Sequence, residues 1–500
     1  MLDPIARSTG GHLRRTSDAE TDVLDGAAAR LLVRGGALRF GSYGAAMALS
    51  VLATSVLTRH LEVARFGQYT TIMSLVAIVG TVTDAGMANI GTREYAVLGS
   101  RERDALMRNL LGLRVALTLI GALLAIAFAL AAGYDLALLL GALTASLATV
   151  ALVFQHTLSI PLTADLRLGV LSALDLTRQV LWVGGLVVLA ELGAGVFPLL
   201  SVLLPVNIVL IVPTAAFVRG RVSARLALQP ASWPPLLRAT LAFSLATAVG
   251  TIYIYTAQII TSLVASRYES GVFAVSFRVF VVCAGAPGLL AAAALPVLAR
   301  AARDDHVRLG RALQRIFEAS VVVGFGAAVV LSAGSQFVVS VIAGPRYDAS
   351  AAVLRIQAFG LIASFLAAGW SFGLLSLRLH RGMLVANAAA LLVSVALTPL
   401  LASAFGARGA AVATICGEVT LALTALVAIT FRRPRFRPQP AVLLKVVVLA
   451  LCASLVSLEP NMPSIARPIV AGAVYGIGIV ATGAAPREFE QLLPWRRLCR

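Results

Sequence analysis

The sequence predicts an all-α integral membrane protein with about fourteen transmembrane helices. Three observations carry that expectation: a very apolar composition, apolar runs of membrane-crossing length, and arginines that favour alternate connections. Of the 500 residues, 59% are hydrophobic and 13% charged, with a mean hydropathy of +0.90. A soluble domain carries roughly 25% charge, and apolar runs spread along the whole chain cannot all enter one aqueous core. The net charge of +18 does not point to nucleic acid. Lys445 is the one lysine among 41 basic residues, and the arginines fall in short loops between apolar runs, which is membrane topology rather than a binding stripe. Cys283, Cys416, Cys452 and Cys499 make no CxxC or metal-ligand spacing, so neither disulfides nor structural zinc are expected. The polar opening "MLDPIARSTGGHLRRTSDAETDVLDG" has no apolar h-region. The first span is therefore expected to act as a signal anchor behind a cytoplasmic tail over 1–36.

Apolar runs of about 20 residues place spans at 37–58, 69–90, 109–132, 135–155, 168–190, 195–218, 239–263, 271–297, 316–342, 355–377, 382–403, 408–431, 441–458 and 465–484. Spans one to six form an N-terminal lobe over 37–218, followed by a cytoplasmic linker at 219–238. Spans seven to twelve form a C-terminal lobe over 239–431. A basic linker at 432–440 leads to two extra C-terminal helices over 441–484 and a cytoplasmic tail at 485–500. With both termini inside, inside segments collect clusters such as Arg93, Arg101, Arg103 and Arg108, while the outside loops hold Arg59, Arg65, Arg267, Arg346, Arg408 and Arg467. This is the positive-inside asymmetry.

Every outside loop in this layout is short. An integral-membrane glycosyltransferase or polymerase, which needs a large external loop for its chemistry, is thereby disfavoured. The chain has no GxxxxGK[ST] phosphate loop, and "RDD" at 303–305 reads as a solvated charge cluster. No catalytic residue, cofactor or metal is expected, and the chain reads as a transporter rather than an enzyme.

The halves repeat. "RFGQYTTIMSLVAIVG" (65–80) aligns with "ESGVFAVSFRVFVVCA" (269–284), each opening an apolar helix with Gly-x-aromatic, Gly67–Tyr69 and Gly271–Phe273. An even number of spans per copy gives parallel repeats about an axis along the membrane normal, an arrangement that places substrate sites between the halves. In the first copy "TDAGMANIG" interrupts the helix, and in the second Pro287 and Pro296 are expected to do the same.

The stretch "LTRHLEVARFGQYTTIMSLVAIVGTVTDAGMANIGTREYA" (57–96), with "YDASAAVLRIQAFG" (347–360) and "FGARGAAVATICGEVTLAL" (405–423), resembles the landmarks of Wzx-type polysaccharide flippases. These belong to the multidrug/oligosaccharidyl-lipid/polysaccharide exporter superfamily. The resemblance implies two six-helix lobes around a central cavity, alternating access, and a cargo of undecaprenyl-pyrophosphate-linked oligosaccharide moved to the outer leaflet of the bacterial inner membrane. It implies membrane lipid and polysaccharide-assembly proteins as partners; the chain itself reads as a monomer. The same superfamily holds two rivals, a cation-coupled multidrug exporter and a murein-lipid flippase. One departure is Gln258, where many relatives carry an acid.

An ionisable side chain near the bilayer centre costs about 2.5–3.5 kcal/mol on insertion scales, so each one needs a reason. Arg278 lies roughly 10 Å below the outer surface; it either contacts a diphosphate, which guanidinium suits, or snorkels. Asp175 and Arg178, at i and i+3, either neutralise each other or present Arg178 to the cavity with Asp175 holding it. Glu418, central in span twelve, is either a proton- or cation-coupling acid or a neutral packing residue. Arg114 either snorkels or lines a cationic cavity mouth, and Glu318 snorkels. His156 and Arg381 read as interfacial. Gln258, Asn207 and Asn387 read as interhelical hydrogen-bond partners. Asp84, near the inner end of span two, reads as a structural or gating acid that pairs with Arg114 or Arg93. Substrate-contact candidates are thus Arg178, Arg278 and Arg114; coupling or gating candidates are Glu418, Asp84, Asp175 and Gln258. Proton and sodium coupling both remain open.

Overall fold

The computed structural model describes residues 41, 42, 44–84, 86–221, 227, 233–304, 306–432, 440–456 and 462–484. The expected tails at 1–36 and 485–500, half of the linker at 219–238 and most of that at 432–440 lie outside these residues. Within them the elements are helical: α1 (44–60), α2 (Val63–Asp84), α3 (Met87–Val97), α4 (Ser100–Ala131), α5 (Leu136–Leu158), α6 (Ile160–Ala164), α7 (Leu168–Glu191), α8 (Val196–Ser201), α9 (Leu203–Phe217), α10 (Trp233–Val264), α11 (Arg267–Asp304), α12 (His306–Ala333), α13 (Ser335–Ile342), α14 (Ala349–Ala358), α15 (Gly360–Ser376), α16 (His380–Arg432), α17 (Ala441–Val456) and α18 (Ala466–Ala481), with a 3-10 turn at Pro345–Tyr347. Among the described residues nine helices are long and apolar enough to cross a membrane, and α14 with α15, bent by 43°, make a tenth.

The side-chain distribution is the reverse of a soluble helix. On α4, Leu119, Ile120, Leu123 and Leu124 are exposed, while Arg114, Thr118, Ala122, Ala125 and Ala129 are buried. Large aliphatic groups face outward, where lipid is their solvent. Small and polar groups face neighbouring helices and let the backbones approach.

Helix α16 holds two of the expected spans. A straight helix of 53 residues would run about 80 Å, more than twice the hydrocarbon thickness. Gly406 breaks it with φ 59° and ψ −137°, a conformation that side-chain-bearing residues avoid. The chain then returns along itself: a Cβ built on Gly382 would stand 3.2 Å from the Cβ of Ala428. The Glu269 carboxylate accepts a hydrogen bond of 2.7 Å from the Ala407 N–H just past the break.

The two halves meet where the repeat predicts equivalence. A Cβ on Gly67 would stand 2.7 Å from the Gly271 nitrogen, and one on Gly271 only 1.9 Å from the Val63 carbonyl oxygen. The contact brings together the two glycines that the alignment of 65–80 with 269–284 pairs. Glycine is the residue that permits backbones to approach this closely. Beside the crossing, Gln258 of α10 is fully buried and donates to Thr71 Oγ1 and Ser270 Oγ, both at 3.3 Å. The same end carries Thr58 Oγ1 to the Ile342 carbonyl (3.1 Å), Arg59 to the Val341 carbonyl (2.9 Å) and the Tyr347 hydroxyl to the Leu61 carbonyl (3.2 Å). This seam closes the bundle at its Gly67 end.

The second copy corrects one expectation. Helix α11 runs unbroken through Pro287 and Pro296 to Asp304, so only the first copy is interrupted, at Gly86. A proline removes one backbone hydrogen bond, and neighbouring helices tolerate that loss within a membrane bundle.

At the N-terminus of α5, Asp135 accepts from Leu138 N–H (3.0 Å) and from Arg65 Nη1 (2.6 Å). The hydrogen bond from Arg65 is the main influence holding the Asp135 carboxyl below the usual carboxylate range, against a smaller opposing effect of burial. A depressed acid contributes stability above its unfolded pKa of about 3.9 and loses it as pH falls through the lower folded value. Both side chains are more than two-fifths exposed, so solvent screening keeps the pair small. Arg65→Ala should therefore lower the melting temperature slightly and by the same amount at every pH between 5 and 8; a loss that changes across that window would refute the assignment.

Candidate functional site

The first-half helices enclose a cavity of about 490 Å³ lined by residues of α2, α4, α5, α7 and α9, including Asp84, Arg114, His156, Arg178, Gln179, Trp182 and Asn207. Its chemistry begins with Arg114, 1% exposed. A guanidinium this deep must be paired, because an uncompensated buried charge is strongly destabilising. Arg114 Nη1 donates to Thr157 Oγ1 at 2.8 Å, and Nη2 pairs with the Asp84 carboxylate. Thr118, one turn on, has its hydroxyl 2.7 Å from the Arg114 carbonyl and 3.0 Å from Thr83 Oγ1, its one proton serving either partner and tying α4 to the end of α2. Arg114 thus lines the cavity instead of snorkelling, and its expected pairing with Asp84 is present.

Arg178 also lines this cavity. It approaches Asp175 at 3.9 Å, but Asp175 is 60% exposed in its side chain against 27% for Arg178. The pair is loose, and the guanidinium rather than the carboxylate turns inward. Asn207 donates to the Ala148 carbonyl at 2.8 Å, the interhelical bond expected of it, while its buried Oδ1 has no partner.

His156 is the residue that reading the sequence missed. A histidine at an inner helix end reads as interfacial, yet His156 shares the cavity wall with both arginines. The available signal was depth: α4 and α5 are consecutive spans, and Arg114 and His156 lie near the same ends of each.

Arg278 borders an adjoining cavity of about 290 Å³, whose wall shares Gln179 and Trp182 with the first. Its Nη2 donates to Ser50 Oγ at 2.8 Å. Gln179 and Trp182 therefore stand between Arg278 from the second half and the arginines of the first.

Glu418 lies elsewhere, against a second-half cavity of about 440 Å³ that also exposes Tyr253, Ser364, Asn387 and Thr414. It is 9% exposed, and its two oxygens accept from the Tyr253 hydroxyl (2.9 Å) and Ser364 Oγ (2.7 Å). Gln258 belongs to the seam described above. Among the described residues no His, Cys, Asp and Glu cluster has a metal-holding arrangement.

The chain matches the family model described as "Polysaccharide biosynthesis protein" over residues 56–352, more than half its length. No curated protein sequence matches it. The fold is similar to a solved structure of the lipid II flippase MurJ in an inward closed conformation (TM-score 0.74, 12% identity, 93% of this chain and 100% of that one). It is also similar to an inward-facing multidrug resistance MATE family transporter of the MOP superfamily (TM-score 0.64, 14% identity, 78% and 94%). A third likeness is to a MOP superfamily transporter from Pyrococcus furiosus, described as having a binding pocket of reverse polarity (TM-score 0.55, 15% identity, 81% and 95%). At these identities the structures speak to fold alone. A helical membrane bundle, an arginine-lined cavity and this match over more than half of the chain place it in the family described as polysaccharide biosynthesis protein.

Proposed function

We propose that the protein is a secondary transporter that flips undecaprenyl-pyrophosphate-linked oligosaccharide across the bacterial inner membrane for cell-surface polysaccharide synthesis. The observation that carries this reading is the first-half cavity, where, among the described residues, Arg114 and Arg178 face Asp84 as the one carboxylate. Guanidinium groups match phosphate oxygens in geometry and charge, so the cavity suits a prenyl diphosphate headgroup. A multidrug exporter for cationic compounds would need the opposite polarity there.

In this reading the chain makes fourteen spans with both termini cytoplasmic, and the Gly67–Gly271 seam is the closed outer side of an inward-facing state. The cargo enters from the Asp84 end and leaves after the seam opens, with Glu418 as the coupling acid for a proton or sodium ion. A murein-lipid flippase is the second reading, favoured by a fold likeness covering 93% of this chain. Both cargoes offer the cavity a diphosphate, and complementation of strains lacking one or the other flippase separates them.

Arg178→Ala with Arg278→Ala should abolish surface polymer in a complemented flippase-null host while the protein still reaches the membrane. Full polymer display by that double variant would exclude both arginines as essential contacts.

A further inference from the structure

We propose that Asp84 is a built-in competitor for the cargo's anionic headgroup, holding the face of Arg114 that a phosphate needs, and that its displacement releases the junction between α2 and α3. The inference rests on reading the first-half cavity as the diphosphate site.

The two partners of this ion pair are unequal. The Arg114 side chain is 2% exposed and that of Asp84 34%. The guanidinium is fixed by Thr157 and the surrounding helices, whereas the carboxylate has access to the cavity. An arriving anion would therefore move the acid and leave the arginine in place. A carboxylate and a phosphate both offer two oxygens to a guanidinium fork, so they cannot share one face of it. A diphosphate also brings more negative charge to a wall that carries Arg178 on α7.

Asp84 is also badly placed for any purely helical purpose. It is the last residue of α2, where the negative end of the helix dipole opposes a carboxylate, so its bond to Arg114 is what holds it there. Two residues on, Gly86 takes φ 67° and ψ 8°, and α3 starts at Met87. The left-handed backbone at Gly86 thus separates the end of α2 from the start of α3. At the far end of α2, Gly67 lies against Gly271 and Thr71 accepts from Gln258. One helix thus joins the anion site to the seam, and release of Asp84 gives cargo binding a mechanical output.

The test uses the purified full-length protein in lipid nanodiscs, its native cysteines replaced by serine. Inorganic pyrophosphate at a fixed pH is the probe. Binding is measured calorimetrically. Spin labels at Val97→Cys on α3, 76% exposed, and Phe217→Cys at the end of α9, 47% exposed, report the junction. Asp84→Asn should bind pyrophosphate about tenfold more tightly and show, without probe, the label distance that the unsubstituted protein reaches only with it. Asp84→Glu should restore ordinary affinity and the probe-dependent change; Asp84→Ser should repeat the asparagine result should that variant fold poorly. Unchanged or weaker binding by Asp84→Asn, with the unsubstituted protein binding normally, overturns the proposal. Failure of both forms to bind pyrophosphate overturns the anion-site reading itself, and this inference with it.

Discussion

Gly271→Ala should stop flipping although it adds a single methyl group. Its Cβ would fall 1.9 Å from the Val63 carbonyl oxygen, a backbone atom that cannot swing aside as a side chain would. Helices α2 and α11 must separate, and the seam that closes the Gly67 end opens with them. Overpacking of this kind costs about 1–3 kcal/mol, and here the cost falls on the closed-seam conformation alone. A conformational equilibrium shifts tenfold for each 1.4 kcal/mol of differential stability, so the variant should be driven towards the state open at that end. Two measurements check this: loss of surface polymer, and labelling by an impermeant maleimide of a cysteine at Val275, which is fully buried. Gly476→Ala is the control. Its added Cβ meets nothing within 4 Å, and a helical Gly→Ala change with free space should stabilise by about 0.4–1 kcal/mol. Normal flipping and no labelling in Gly271→Ala would remove the seam from the transport cycle.

The second large effect is expected at Glu418. Glu418→Gln keeps the shape: its carbonyl oxygen accepts from one of the Tyr253 and Ser364 hydroxyls and its NH2 donates to the oxygen of the other, so the melting temperature should stay within a few degrees. Glu418→Ala leaves both hydroxyls without their partner in a buried site, at a cost of about 1–3 kcal/mol for each unsatisfied group. If Glu418 carries the coupling ion, both variants lose gradient-driven flipping, and the glutamine variant does so while fully stable. That separation of transport from stability is the informative result. A glutamine variant that still responds to an imposed proton or sodium gradient in proteoliposomes would leave Glu418 as a packing residue.

The fold was legible in the sequence because lipid imposes a length and polarity on each crossing. One contact was legible too: aligning 65–80 with 269–284 pairs Gly67 with Gly271, and the two glycines touch. What the alignment could not supply was Gly271's distance to Val63, since such a contact depends on how two amphiphilic helices cross. The prolines misled. Pro287 and Pro296 look like the counterpart of Gly86, but a proline can remain inside a supported helix, whereas Gly86 adopts a left-handed backbone that ends one. At the site, Asp84 and Arg114 were legible as a pair because both sit near the same ends of consecutive spans. His156 was not, since a histidine at a helix end has an ordinary interfacial explanation and one sequence gives no rotation of the helix about its axis. Asp175 illustrates the same limit: its spacing from Arg178 fixes a shared face but not which member of the pair turns inward.

The unbroken α11 has a kinematic consequence. From Gly271 at the seam to Asp304 at its tip the helix spans about 50 Å, well beyond the roughly 30 Å of hydrocarbon it must cross. With the seam as fulcrum, a tilt of about 10° would sweep the tip through about 9 Å over that length. The far end of α11 is thus a mechanical amplifier, on which a fluorophore would record a rocking motion too small to resolve at the pivot.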